Sequence, residues 1–103
     1  MVTITGTVGS SGKYLVTGMP VASQAHTPLK ITFENNSGGT NLGLWAGSEA
    51  DFEKGSAGTQ LSDSGGPGFT FLTIIDAADL NGKVLYVQRE VGSGNSQFTI
   101  NIG

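Results

Sequence analysis

Apolar and polar residues alternate along several short segments of this chain. Near the N-terminus, Val2, Ile4 and Val8 share one parity, and threonines occupy most of the other. A period of two residues is typical of β-strands that have one face buried and the other in solvent. The same alternation, over longer or shorter runs, predicts strands at residues 2–8, 13–17, 29–34, 41–46 and 97–102.

Two further segments, residues 69–75 and 84–87, are apolar on both parities. In the first, Leu72 and Ile74 fall on the face opposite to the remaining apolar side chains. In the second, Val84 and Tyr86 share one face, and Leu85 and Val87 share the opposite one. Such segments are expected to be central strands, or strands whose outer face is covered by something else, for which we expect another subunit.

Glycine-rich segments separate the predicted strands. Residues 9–12, 35–39 and 92–95 are each short enough to close a hairpin between consecutive strands. About six to eight short strands with no long helix predict an all-β fold. We expect an antiparallel β-sandwich, immunoglobulin-like or jelly-roll-like, that forms one domain over residues 1–103.

An acidic segment coincides with the one helix signal. Ser48 followed by Asp51 resembles a capping box and predicts at most one helical turn, at residues 49–54. The carboxylates of Glu49, Asp51 and Glu53 also suggest a calcium site, because Ca²⁺ prefers oxygen ligands. Their spacing is not that of known calcium loops, and the helix dipole stabilises acids in a first turn. We therefore expect no metal and no cofactor.

Composition narrows the classes of function. Charged residues make up only 13% of the chain, 17 of its 103 residues are glycine, and it has no cysteine, which excludes a disulfide framework. The net charge of −3, with basic residues dispersed, gives no footprint for nucleic acid or an anionic membrane. The N-terminus is not typical of a signal peptide, and every apolar run is far shorter than the roughly 20 residues of a membrane-spanning helix.

One short segment matches a catalytic motif. Residues 63–67, Asp-Ser-Gly-Gly-Pro, are identical to the nucleophile segment of chymotrypsin-like serine proteases. That resemblance implies Ser64 as the nucleophile and His26 as its base. Those proteases build their site between two barrels, however, and Ser62 stands where they usually have glycine. We interpret the segment as a glycine-rich loop between strands and expect no enzymatic activity.

From residue 29 to residue 102, about three quarters of the chain, the layout resembles bacterial and phage immunoglobulin-like domains. The similar features are a strand that ends in an Asn-Ser-Gly turn, residues 33–39, and the polar loop before a strand with an aromatic residue, residues 77–87. The resemblance implies a non-catalytic structural or binding module.

Trp45 is a candidate binding residue. If the leucines of its strand face the core, then Asn41, Gly43 and Trp45 point away from it, and Gly43 leaves open space beside the indole ring. The ring can then complete the core, anchor a protein partner, or offer a stacking platform to a sugar. Asn41, with Tyr14 or Tyr86, would complete a sugar site.

An apolar patch around Leu72 and Ile74 indicates association with other subunits, because monomers rarely keep such a patch exposed. We predict a non-catalytic structural or decorating subunit of a larger assembly, such as a phage particle or cell-surface fibre, on a virion or extracellular surface. Strand faces that include Leu72, Ile74 and the Trp45–Tyr86 region would contact protein subunits. The alternative prediction is a carbohydrate-binding module built on Trp45.

Overall fold

Eight short β-strands make up most of the described chain. The computed structural model describes residues 2–16, 28–37, 41–55, 57–62, 66, 68–80, 82–92 and 94–103. In chain order the elements are β1 (Val2–Val8), β2 (Lys13–Leu15), β3 (Pro28–Ser37), β4 (Asn41–Gly47), α1 (Glu49–Lys54), β5 (Thr59–Gln60), β6 (Thr70–Asp76), a 3₁₀ turn (Ala77–Leu80), β7 (Val84–Val91) and β8 (Ser96–Ile102). The prediction of an all-β fold with one helical turn is confirmed.

The strands form two four-stranded antiparallel sheets. The first sheet has the order β1-β8-β3-β6, and the second has the order β2-β7-β4-β5. The pairs β1·β8, β2·β7, β3·β6 and β4·β5 are those of one long hairpin wound on itself, which is the jelly-roll arrangement. In immunoglobulin-like domains several consecutive strands pair, whereas among the described strands here only β4 and β5 do. The β-sandwich is confirmed, and its strand order is that of a jelly roll.

The predicted hairpins are wrong. The strands that each glycine-rich turn connects, β1 and β2, β3 and β4, and β7 and β8, lie in opposite sheets. Turn residues specify that the chain reverses, but not whether both strands belong to the same sheet. Two of these connections meet at Arg89, whose Nη2 donates to the carbonyl oxygen of Gly9 at 2.8 Å and to that of Gly94.

The core lies between the two sheets and follows the predicted parities. β1 contributes Val8, with Ile4 partly buried beside it, and the central strands of both sheets supply most of the remainder. The buried apolar side chains of β3, β4, β7 and β8 are Ile31, Phe33, Leu42, Leu44, Ala46, Leu85, Val87, Phe98, Ile100 and Ile102.

Gly6 interrupts the apolar row of β1 because two rings occupy the space beside it. Tyr14 packs edge-to-face on Phe98, with ring centroids 5.1 Å apart. A Cβ atom at Gly6 would lie 2.8 Å from the Cζ atoms of both rings. A glycine within a strand here marks a close approach of side chains to the backbone.

Substitution of Gly6 by alanine should therefore overpack the core. We expect Gly6→Ala to lower the free energy of unfolding by about 1–3 kcal/mol, measured by urea denaturation. Gly9→Ala is the matched control, because the nearest neighbour of its Cβ among the described residues would be Asn95 Oδ1 at 3.9 Å. Its effect should stay within about 0.5 kcal/mol. Equal effects of the two substitutions would contradict this account of Gly6.

Candidate functional site

The helix α1 lies over the outer face of the second sheet. Its first turn is fixed by the predicted capping box: Ser48 Oγ accepts from the Asp51 N–H at 3.1 Å, and Asp51 Oδ2 accepts from the Ser48 N–H at 3.0 Å. At the other end, the Lys13 ammonium of β2 donates to the carbonyl oxygen of Glu53. A short helix that would be marginal alone is thus fastened at both ends.

Three aromatic residues, Trp45, Phe52 and Tyr86, form what we call the outer cluster. Trp45 and Tyr86 are register partners on β4 and β7, and their rings stack with centroids 6.4 Å apart. Phe52 of α1 packs edge-to-face on Tyr86 at 5.5 Å, and the Lys13 ammonium lies 5.3 Å from the Phe52 centroid. The outer face of β7 at Tyr86 is therefore covered by α1, rather than by the other subunit that we expected on this face.

Tyr86 is fully buried beneath this cover. Its hydroxyl accepts from the Gly58 N–H at 3.2 Å. A Cβ atom at Gly58 would lie 2.4 Å from the Ala46 carbonyl oxygen and 2.7 Å from the Tyr86 hydroxyl, so glycine allows this approach. Desolvation raises the pKa of the Tyr86 phenol above its ordinary value, and the charges of Asp51 and Glu90 add to the shift.

The half-buried ring of Trp45 has polar neighbours. Its Nε1 donates to Glu90 Oε1 at 2.7 Å. A Cβ atom at Gly43 would lie 2.9 Å from Glu90 Oε1 and 3.0 Å from Gln60 Nε2. The open space that we expected beside Gly43 is thus occupied by a carboxylate and an amide.

The other residues of the predicted sugar site are not assembled as expected. Asn41 lies at the far end of β4 from the helix, where the register with β7 shifts, and its Oδ1 would be 3.3 Å from a Cβ at Gly66. Tyr14 packs on the core side against Phe98. Tyr86 does reach Trp45, but as a buried support that exposes no ring face.

Phe52, Gln60 and Glu90 are residues of this region that the sequence analysis missed. Glu90 shares the parity of Tyr86 along β7, which places it on the same face of the sheet. Phe52 is the one aromatic residue within the predicted helical turn and needs an apolar surface to pack on. Both signals are present in the sequence, whereas the approach of Gln60 depends on the pairing of β5 with β4.

A second surface lies at the edge of the first sheet. Leu72 and Ile74 of β6 are 52% and 64% exposed, and we call these two side chains the edge strip. Their register partners on β3 are Thr32 and Lys30. On the opposite face of the same strand, Ile75 packs against the core. The prediction that Leu72 and Ile74 point away from the core is therefore correct.

Most of the catalytic motif, residues 63–67, lies outside the described residues. Ser64 and His26 lie outside the described residues, and the nearby Ser62 is buried, with its Oγ accepting from the Leu44 N–H at 2.9 Å. Within the described parts of the chain, no three His, Cys, Asp or Glu side chains are grouped so that they could hold a metal ion. The helices in those parts are too short or too polar to cross a membrane.

Comparison with known proteins relates the chain to other β-rich folds. No family model and no curated protein matches it. A subunit of Bacillus endospore appendages, a family of disulfide-linked pili, is similar with a TM-score of 0.57 and 10% identity over 98% of this chain and 80% of that one. The pre-peptidase C-terminal domain of a Bacillus anthracis collagenase is similar with a TM-score of 0.52 and 15% identity, over 99% and 88%. At these identities the similarity shows the fold alone.

The buried phenol of Tyr86 makes stability depend on pH in the alkaline range. An unfolded tyrosine titrates near 10.0, below the raised pKa of the folded state, so above pH 10 the unfolded chain loses a proton that the folded chain keeps. The free energy of unfolding should therefore be insensitive to this group at pH 8 and should fall as the pH rises above about 10.

Urea denaturation of the wild type and of Tyr86→Phe between about pH 8 and 11 measures this effect. The variant should lose about 1 kcal/mol at pH 8, because the Gly58 N–H loses its acceptor, and should show a smaller alkaline decline. Parallel declines in the two proteins would contradict the assignment to Tyr86.

Proposed function

We propose that the protein is a non-catalytic structural subunit that joins a larger protein assembly through the edge strip. The exposure of Leu72 and Ile74 carries the proposal. Leu72 and Ile74 are two large apolar side chains, adjacent on one face of an edge strand. The free energy falls when a partner removes them from water. Residues 70–75 of β6 carry no charge, and charged residues are depleted at the centre of a protein interface.

Similarity to a pilus subunit supports the same proposal. The endospore appendages of the similar structure are pili, so a sandwich of similar fold occurs in a fibre. Those pili are disulfide-linked, whereas the present 103 residues contain no cysteine, so these residues would join an assembly without disulfides. Of the two settings suggested by the sequence, a cell-surface fibre fits this neighbour better than a phage particle.

Charges introduced into the edge strip should prevent assembly. Burial of a lysine ammonium at an apolar contact is costly, so Leu72→Lys and Ile74→Lys should each weaken association by at least about tenfold, roughly 1.4 kcal/mol. Light scattering coupled to size-exclusion chromatography, with electron microscopy of the largest species, measures the change.

Thr7→Lys is the matched control for these variants. Thr7 is exposed on the outer face of the same sheet, but on β1 at the opposite edge. It should leave assembly unchanged. A wild-type protein that stays monomeric at high micromolar concentration, or a Thr7→Lys variant that is impaired as strongly as Leu72→Lys, would contradict the proposal.

A carbohydrate-binding role is the second candidate, and the surroundings of Trp45 favour it. A half-buried indole, the Glu90 carboxylate and the Gln60 amide adjoin on the outer face of the second sheet. An aromatic ring flanked by hydrogen-bonding groups can stack on a sugar and bind its hydroxyls. The edge strip takes no part in this candidate.

Binding to a glycan array tests this second candidate. If it is correct, Trp45→Ala and Glu90→Gln should each reduce sugar affinity by about tenfold or more, while Leu72→Lys should leave it unchanged. Glu90→Gln retains an acceptor for the indole N–H, so it tests the site even if Trp45→Ala fails to fold. The absence of binding to every glycan would reject this candidate and leave the structural role in place.

A further inference from the structure

Among the described strands, β6 lies at one edge of the first sheet, and its main chain offers hydrogen-bonding groups there. The Asn35 N–H donates to the Phe69 carbonyl oxygen at 2.9 Å, and the Gly103 N–H donates to the Lys30 carbonyl oxygen at 3.0 Å. In antiparallel sheets these bonds alternate along a strand, so odd-numbered residues of β3 bond to β6 and even-numbered ones bond to β8. Leu72 and Ile74, which lie opposite even-numbered residues of β3, therefore direct their N–H and C=O groups away from the sheet.

Within the described part of the chain, β6 also lacks the usual protection of an edge strand. Natural edges are blocked by proline, lysine, a bulge or a very short strand. β6 has seven residues, with the sequence Thr-Phe-Leu-Thr-Ile-Ile-Asp, and contains no proline or lysine. Its register with β3 runs without a shift, whereas β3 with β8 and β4 with β7 each show one. The strand is thus extended, uncharged over most of its length, and able to accept another strand.

We infer that β6 pairs with β6 of a second copy of this chain, antiparallel across a two-fold axis at Thr73. This inference rests on the proposed structural role and specifies its partner. In this register Leu72 lies opposite Ile74 of the second copy, and Ile74 lies opposite Leu72 of the second copy. Both edge strips then form one apolar cluster, and the two first sheets become one continuous sheet.

Register and symmetry together favour this arrangement. Only registers that place even-numbered residues opposite even-numbered residues match the outward N–H and C=O groups of both strands. A two-fold axis at Leu72 instead of Thr73 would set each Ile74 against Thr70 and leave one apolar pair, between the two copies of Leu72, in place of two. A register shifted by one residue would set Leu72 and Ile74 opposite residues whose side chains point to the other face of the sheet. The same surface supplies both sides of the contact, which is the requirement of a closed two-fold dimer.

Cysteine cross-linking tests the position of the axis, and the chain has no cysteine of its own to interfere. At the axis, Thr73 faces its own counterpart as a non-hydrogen-bonded pair, with Cα atoms about 4.5 Å apart, within the range of a disulfide. Thr73→Cys should therefore form a disulfide-linked dimer under mild oxidation. Thr70→Cys is the control, because its counterpart would lie roughly 20 Å away along the paired strands. We expect at least about tenfold more dimer from Thr73→Cys.

Hydrogen exchange of the wild type gives a readout that needs no folded variant. The amides of Leu72 and Ile74 should exchange at least about tenfold more slowly when the protein is concentrated, and Leu72→Lys should abolish this change. Cross-linking specific to Thr73, with protection of these amides, supports the inference. Equal cross-linking at Thr70 and Thr73, or unprotected amides, overturns it.

The outcomes also separate this inference from the proposed function. Assembly that Leu72→Lys disrupts, but without cross-linking at Thr73 or amide protection, would overturn β6 pairing and leave the structural role standing. A protein that is monomeric at every concentration, with unprotected amides, would overturn both.

Discussion

Side chains alternate across a strand, so an apolar strand has two faces to cover, while the interior of a two-layer sandwich covers only one of them. This constraint governs the outer surface of the whole molecule. Most strands meet it with polar residues outside, as the threonines of β1 do. β7 and β6 do not, and each requires a further element. For β7 the chain supplies that element itself, since α1 places Phe52 on Tyr86. For β6 the described structure supplies nothing comparable, and Leu72 and Ile74 remain exposed.

The cover of β7 can be traced to particular residues of the chain. The cover of β7 depends on local chemistry: the capping box of Ser48 and Asp51 forms the helix, and Gly58 lets the following segment reach the Tyr86 hydroxyl. The low content of charged residues has the same origin, because strand faces that contact other strands or other subunits are depleted in charged side chains. Two of the charged groups near the outer cluster, Lys13 and Glu90, each contact an aromatic ring or its N–H group.

Much of the fold could be predicted from the sequence because the alternation records burial directly. The parities of β1, β3, β4 and β8 and the start of α1 are visible in this way. Strand pairing is not visible in the sequence, because it depends on which strands come together when the chain collapses. Gly9 and Gly12 predict a reversal, and the chain does reverse there, but Val8 and Lys13 belong to different sheets. The immunoglobulin-like resemblance is supported only as far as a β-sandwich, since it rested on turns and single strands rather than on pairing.

The candidate sites, too, could be predicted where side-chain parity decides and could not be predicted where strand pairing decides. The outward direction of Trp45, Leu72 and Ile74 follows from parity alone. The closure of the space at Gly43 does not, because Gln60 reaches it only through the pairing of β5 with β4. Tyr86 combines both cases: parity places it on the outer face, and a tertiary contact with α1 buries it.

The position of β8 has a consequence for how the molecule forms. β8 lies between β1 and β3, and Val2 at one end of the chain pairs with Ile102 at the other. Contacts between such distant residues close a large loop and slow folding. A ribosome makes residues in order, so the first sheet lacks an inner strand until residues 96–102 have emerged. Until then β1 and β3 both have unpaired edges, which leaves the nascent chain open to incorrect strand pairing while residues 96–102 are still missing.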